Sequence, residues 1–298
     1  MKSFEQLEFQ HGPLRFTALA EGSGPVVLCL HGFPDSARSY RLQLPALAAA
    51  GYRAVSVTLR GYEPASIPAD GDYSHEAIAS DVIAIIDQLE QERVHLIGHD
   101  WGAIKSYTAA AQSPQRFKSL TTIAVPHIGR LMSEMPMHRK QLAMSWYVFF
   151  FQLRGISDYA VRRNDYSFIR MLWRRWSPGW QPPEEELLHV ITGLRQPGVT
   201  RATLDYYRDL ISLRSISLTA AAREKAAFKV PVPTMALTGE RCGCVDSDLF
   251  QSLMREEDFP EGLRVHQIAN AGHFPHQEQP EVVNALLLDW LAQHDHQA

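Results

Sequence analysis

The sequence predicts an α/β fold: a mostly parallel sheet flanked by helices, interrupted once by a helical insertion. Three observations carry this. Short apolar runs alternate with amphipathic helical stretches as far as Val125, the rhythm of β-α-β units with right-handed crossovers. The alternation then stops for about a hundred residues between Pro126 and Val230, which have helical spacing and many aromatics but no convincing strand. After Val230-Pro231-Val232-Pro233, a stiff re-entry segment, it resumes. An ordinary crossover needs far fewer residues.

The elements follow in order. Phe4 to Gln10 and Leu14 to Ala20 read as a hairpin split by His11-Gly12-Pro13. Val26 to Leu30 is a continuous apolar run, expected of a strand covered on both faces. Tyr40 to Ala50 is helical in composition and stops at Gly51, and Tyr52 to Thr58 is a strand. Ala77, Ile78, Val82, Ile85, Ile86 and Leu89 mark one buried helix stripe. Arg93 to Ile97 is a strand, Ala103 to Gln112 a helix, and Ser119 to Val125 the next strand. Beyond the insertion, strands are expected at Thr234 to Leu237 and Arg264 to Ile268, and helices at Leu249 to Glu256 and Glu281 to Ala292.

Bulk properties remove several functions. The 298 residues are 45% hydrophobic and 21% charged, an ordinary globular balance. A net charge of −4 gives no electrostatic reason to expect nucleic acid or an anionic membrane. No signal peptide is visible at the N-terminus, and the most apolar stretch, Leu142 to Phe151, is too short to span a bilayer. Cys29, Cys242 and Cys244 do not look like a disulfide framework, so a cytoplasmic protein is expected; a monomer or homodimer is expected. Neither His273/His276 nor His294/His296 brings the neighbouring ligands of a metal site, and no metal or cofactor is expected.

Chemistry concentrates at Gly98-His99-Asp100-Trp101-Gly102, where an apolar run breaks into a helix. This is a nucleophile elbow, with small residues two before and two after an exposed nucleophile, here a carboxylate. A carboxylate attacks amides poorly. It attacks a carbon that carries its own leaving group, such as an epoxide or halide carbon, to give an ester that water can open. His273, on the loop after the last strand, stands where such a sheet brings its general base. His31-Gly32-Phe33-Pro34 follows the first buried strand, so the amides of Phe33 and Trp101 are the expected oxyanion donors.

H-G-F-P, L-R-G-Y at Leu59 to Tyr62, G-H-D-W-G, and A-G-H-F with Glu278 and Pro280 together resemble the α/β-hydrolases of the epoxide hydrolase and haloalkane or haloacetate dehalogenase group, over nearly the whole chain. The resemblance implies a core at 1–126 and 230–298 and a helical cap at 127–229, inserted between strands 6 and 7. It implies two cap tyrosines that hold an epoxide oxygen. Tyr147, ahead of Phe151-Gln152, is similar to the first, and Tyr207, ahead of Arg208, to the second, with Tyr206 the neighbouring alternative. Trp146, Phe150 and Phe274 are expected to line the substrate pocket.

Dehalogenases of the group carry other residues. The haloalkane type pairs the tryptophan after the nucleophile with an asparagine after H-G, where this chain has Phe33, or with a cap tryptophan. Trp146, Trp173, Trp176 and Trp180 keep that alternative open. The haloacetate type resembles D-R-G-A-R at the elbow, whereas this chain has D-W-G-A-I.

The sequence departs from the family at the triad acid. The run is Thr238-Gly239-Glu240-Arg241-Cys242-Gly243-Cys244-Val245-Asp246, with Cys242 where the family has aspartate. A buried carboxylate fixes the histidine tautomer and stabilises its imidazolium, and a neutral thiol does neither well. Asp246 is the expected substitute, with Glu240 and Asp248 behind it, although Asp246 could equally cap a helix. The expected function is conversion of a small apolar epoxide and water to a vicinal diol. The alternatives are a haloalkane dehalogenase, or a binding protein whose turnover is impaired at Cys242.

Overall fold

The computed structural model describes residues 4–210 and 228–295. Residues 1–3, 211–227 and 296–298, which include part of the expected insertion and His296, lie outside the described residues.

Eight strands form one sheet: β1 (Glu5–His11), β2 (Leu14–Glu21), β3 (Val26–Leu30), β4 (Arg53–Val57), β5 (Val94–His99), β6 (Phe117–Ile123), β7 (Thr234–Gly239) and β8 (Leu263–Ile268). Their order is β1-β2-β4-β3-β5-β6-β7-β8. The β1/β2 hairpin runs in register from Glu5 opposite Ala20 to His11 opposite Leu14, and β2 meets β4 antiparallel. All other pairings are parallel. Helices cover both faces of the central strands, so β3, β5 and β7 are buried at every residue, and β3 reads as an unbroken apolar run.

Of the boundaries that differ from those expected, two have a plain physical reason. β5 continues two residues past Ile97 to His99, a polar residue that is fully buried because its Nε2 faces the His273 carbonyl at 2.9 Å. The helix expected over Tyr40 to Ala50 is two pieces, a 3₁₀ turn at Ala37–Tyr40 and α1 at Leu44–Ala49. Pro45, in the first turn of α1, lacks the N–H that would continue a helix from before it.

α2 (His75–Gln88) is capped by the Ser74 side chain and lays Ile78, Val82, Ile85 and Ile86 on the core. α3 (Trp101–Gln112) leaves β5 directly at Asp100. Among the described residues, everything between β6 and β7 with regular structure is helical: α4 (Ile128–Glu134), a 3₁₀ turn (Met135–Met137), α5 (Arg139–Met144), α6 (Trp146–Phe150), α7 (Ile156–Trp176), α8 (Glu184–Arg195) and α9 (Val199–Leu210). The backbone of α7 is broken at Arg163 to Tyr166 by non-helical angles. α10 (Ser247–Leu253), α11 (Pro275–Glu278) and α12 (Pro280–His294) complete the chain.

The inserted helices sit on the loops that leave β3 and β4. Trp173 Nε1 donates to the Pro34 carbonyl at 2.8 Å, and Tyr206 Oη to the Arg60 carbonyl at 2.7 Å. The buried Glu186 carboxylate pairs with Arg38 at 2.6 Å and Arg41 at 3.0 Å. These contacts set the helices against the carboxyl ends of the parallel strands, where open α/β sheets bind their ligands. No described helix is long and apolar enough to cross a membrane.

Candidate active site

Asp100 sits at φ 52°, ψ −117°, a conformation rare outside glycine and held here by its surroundings. A Cβ on Gly102 would lie 2.1 Å from the Leu30 carbonyl oxygen, and one on Gly32 would lie 2.3 Å from Asp100 Cβ. Only glycine at both positions lets β3, its following loop and the elbow meet. The result is a carboxylate 5% exposed, with Oδ1 accepting the Phe33 amide at 2.8 Å. Burial opposes its charge, but the charge of His273 and the hydrogen bond from the Phe33 amide outweigh that, and the Asp100 pKa lies below the usual range. The His31 ring braces this loop. Its Nε2 accepts the Leu59 amide at 3.1 Å, which leaves Nδ1–H to donate to the Gly32 carbonyl at 2.9 Å.

His273 follows β8 on a loop held by Glu278. One oxygen of that carboxylate accepts the Gly272 amide at 2.7 Å; the other accepts the Phe274 amide at 2.9 Å and the Ser177 hydroxyl at 2.7 Å. The His273 amide in turn donates to Ser177 Oγ at 2.9 Å and to the Trp176 carbonyl at 3.0 Å. The acid of the A-G-H-F…E motif thus fixes the histidine backbone and joins it to the end of α7. His273 Nε2 lies 3.4 Å from Asp100 Oδ2. Burial works against a charged ring, yet the Asp100 carboxylate beside it holds the His273 pKa well above its ordinary value.

The other ring nitrogen has a sulfur for a partner: His273 Nδ1 faces Cys242 Sγ at 3.6 Å. Asp246, the expected substitute acid, is engaged elsewhere. Its Oδ1 caps α10 by accepting the Leu249 amide at 3.1 Å, and its other oxygen pairs with Lys140. The competing role as helix cap is the one the structure displays, because the N-terminus of α10 has unmet amides three residues on. Glu240 accepts the Asn270 amide at 3.0 Å on the exposed side of the loop, and Asp248 lies in the first turn of α10.

Tyr207 reaches the elbow, and Tyr147 packs against Tyr207. The Tyr207 ring packs edge-on against Trp101 (5.0 Å), Phe33 (5.3 Å) and Tyr147 (5.7 Å). The Tyr207 hydroxyl is buried with no hydrogen-bond partner among the described residues, and burial and the Asp100 charge raise its pKa. Tyr147 Oη lies 3.2 Å from Cys244 Sγ. Tyr206, the alternative, spends its hydroxyl on the Arg60 carbonyl. The residues beside each tyrosine lock the pair: Gln152 Nε2 donates to the Tyr207 carbonyl at 2.8 Å, and Arg208 Nε to the Phe151 carbonyl at 2.9 Å. Buried Arg208 is also paired with Asp205 and Asp158.

The expected pocket residues divide. Phe274 is fully buried beside His273, with ring centroids 4.9 Å apart, but also stacks among Trp173 and Trp180. Trp146 and Phe150 form a cluster with Phe168 one layer further out. Two rings outside that expectation also pack directly on the site: Phe151, 5.0 Å from Tyr207, and Trp176, 5.0 Å from both Tyr147 and His273. Cys244 is a further site residue, outside the positions expected from the family pattern. The centre therefore offers a carboxylate with one oxygen held by an amide and the other by an imidazole, beneath two phenols and apolar rings. That is equipment for attack on an electrophilic carbon followed by hydrolysis of an ester.

The family follows from this fold and its match to known proteins. Residues 27–286 match the family model described as "Alpha/beta hydrolase family", and the chain belongs to that family. It is similar to epoxide hydrolase 3 of Xenopus tropicalis, with 30% identity over 93% of this chain and 75% of that protein. It is also 29% identical to the AB hydrolase superfamily protein YfhM of Bacillus subtilis, over 93% of this chain and 94% of that one. A crystal structure of an epoxide hydrolase from Vigna radiata superposes with a TM-score of 0.81 at 27% identity, covering 98% of this chain and 99% of that chain.

Proposed function

We propose that this protein is an epoxide hydrolase that opens a small apolar epoxide to a vicinal diol through an ester on Asp100. The observation that carries this reading is the Tyr207 hydroxyl, buried without a partner and paired with Tyr147 above the Asp100 carboxylate. A buried donor left unmatched is costly unless a ligand oxygen completes it. The epoxide hydrolases among the relatives support the same substrate class.

Asp100 Oδ2 attacks a ring carbon, the carbon–oxygen bond breaks, and the oxygen takes a proton from a tyrosine hydroxyl. Oδ1 becomes the ester carbonyl, already against the Phe33 amide at 2.8 Å, with the Trp101 amide at the start of α3 as the second donor. Alkylation removes the charge on Asp100 that helps keep His273 protonated. His273 can then give up its proton and act as base for the water that opens the ester. The inserted helices serve as the cap that excludes bulk water. Diol formation from styrene oxide, abolished in Asp100→Ala, tests the proposal; activity retained in that variant defeats it.

A haloalkane dehalogenase is the second reading, favoured by one observation: Trp176 Nε1 is buried beside Tyr147 and His273 without a partner among the described residues, a donor suited to a leaving halide. Halide release from a bromoalkane that survives Phe at both 147 and 207 would favour it over the epoxide reading.

A further inference from the structure

Asp100, His273 and Cys244 form a cluster that the sequence does not announce, because their positions are far apart in the chain and none lies at metal-ligand spacing. One ligand atom from each, all buried, lies within 4.8 Å of the other two. Tetrahedral zinc bound by nitrogen and oxygen at about 2.0–2.1 Å and sulfur at about 2.3 Å has ligand atoms roughly 3.3–3.6 Å apart. The 3.4 Å between Asp100 Oδ2 and His273 Nε2 is already such an edge.

A second observation points into the same space. His273 is fully buried and its Nε2 has no hydrogen-bond partner among the described residues, while Nδ1 is turned to Cys242. The remaining nitrogen is thus presented to the cluster with its ring held from behind, as metal-binding imidazoles are. The other buried group of this kind, Asp35, His99 and His276, is less available. Asp35 Oδ2 accepts Ser39 Oγ and Gln277 Nε2, and Ser39 Oγ also contacts His276 Nε2.

We propose that the catalytic centre is also a binding site for a borderline-soft divalent cation, zinc above all, ligated by Asp100, His273 and Cys244. One thiolate, one imidazole and one carboxylate suit zinc and discriminate against magnesium and calcium, which take oxygen ligands. Binding displaces the Cys244 thiol proton and any proton on His273 Nε2 to solvent. The fourth position is left open. Occupancy ties up the oxygen proposed to attack and the nitrogen proposed to activate water, so zinc is a reversible inhibitor. That consequence rests on the epoxide hydrolase reading; the binding itself does not.

The test uses reduced, chelator-treated full-length protein and needs no substrate. Cobalt(II) is titrated as a spectroscopic stand-in, and zinc is titrated against a chromophoric chelator. One equivalent of cobalt should give a thiolate-to-metal charge-transfer band that is lost in Cys244→Ala and kept in Cys242→Ala. Zinc should bind at least tenfold more weakly to Cys244→Ala and to Asp100→Asn, which retains the shape of the carboxylate. Absence of a stoichiometric cobalt band from the unmodified protein, a result that depends on no variant, overturns the proposal. So does a band that survives Cys244→Ala. Failure of the epoxide reading would appear separately, as no ester on Asp100 in zinc-free protein.

Discussion

Cys242 Sγ stands 3.6 Å from His273 Nδ1, at the position where the resemblance called for a carboxylate. The contact holds the ring with Nε2 toward Asp100, but a thiol supplies little of the charge that steadies an imidazolium. Attack by Asp100 does not need that charge; opening the ester does.

Cys242→Asp should therefore speed the second half of the cycle. Loss of the orienting acid in a related triad costs on the order of 10⁴ in rate. Single-turnover ester breakdown should rise at least tenfold in Cys242→Asp, while the alkylation rate moves little. Unchanged breakdown would show that the sulfur contact already suffices.

Tyr147→Phe and Tyr207→Phe should each slow alkylation by about 10²-fold, the scale of a lost donor to developing negative charge. Pre-steady-state mixing with styrene oxide measures it. Tyr206→Phe loses only its bond to the Arg60 carbonyl; it should cost about 1 kcal/mol of stability and leave alkylation within a few-fold. A larger rate loss from Tyr206→Phe than from Tyr207→Phe would reverse the assignment.

Glu278→Ala removes the acceptor for two loop amides and Ser177. Urea denaturation should record a loss of about 2 kcal/mol. Because His273 moves with the loop, kcat should fall at least tenfold with KM changed less. Proportionate loss of both through unfolding alone would indicate a purely structural role.

Lys105, in α3, is buried with Nζ 5.2 Å from the Trp101 and Tyr206 rings, and burial lowers its pKa to about 7. The unfolded chain keeps the ordinary value near 10.5, so it binds the extra proton between those limits and stability rises with pH across that window. The stability of Lys105→Met minus that of the unmodified protein should shrink from pH 7 to 10 by up to about 1.4 kcal/mol per unit. A difference independent of pH would contradict a depressed lysine.

Much of the site is legible in the sequence wherever a local constraint writes it. Gly102 must be glycine because Leu30 lies against it, and Gly32 because Asp100 does, so the elbow and its facing loop leave a pattern. Arg208 and Gln152 mark the tyrosines because each holds the other's segment. Tertiary contacts leave no such mark. Nothing local distinguishes Asp246 as a cap from Asp246 as a triad acid until Leu249 and Lys140 are seen to occupy it. The same holds for Phe151 and Trp176, whose aromatic neighbours Phe150 and Trp146 look equally suitable in sequence. The sequence ends β5 at Ile97 because Gly98 and His99 together resemble the close of an apolar run.

The most direct test of Asp100 as the attacking group is a single turnover in ¹⁸O-labelled water with enzyme in excess over epoxide, followed by mass analysis of diol and peptides. Unlabelled diol and one ¹⁸O in the peptide that carries Asp100 are expected, because water opens the ester at its carbonyl carbon. Labelled diol with no label in that peptide would contradict it.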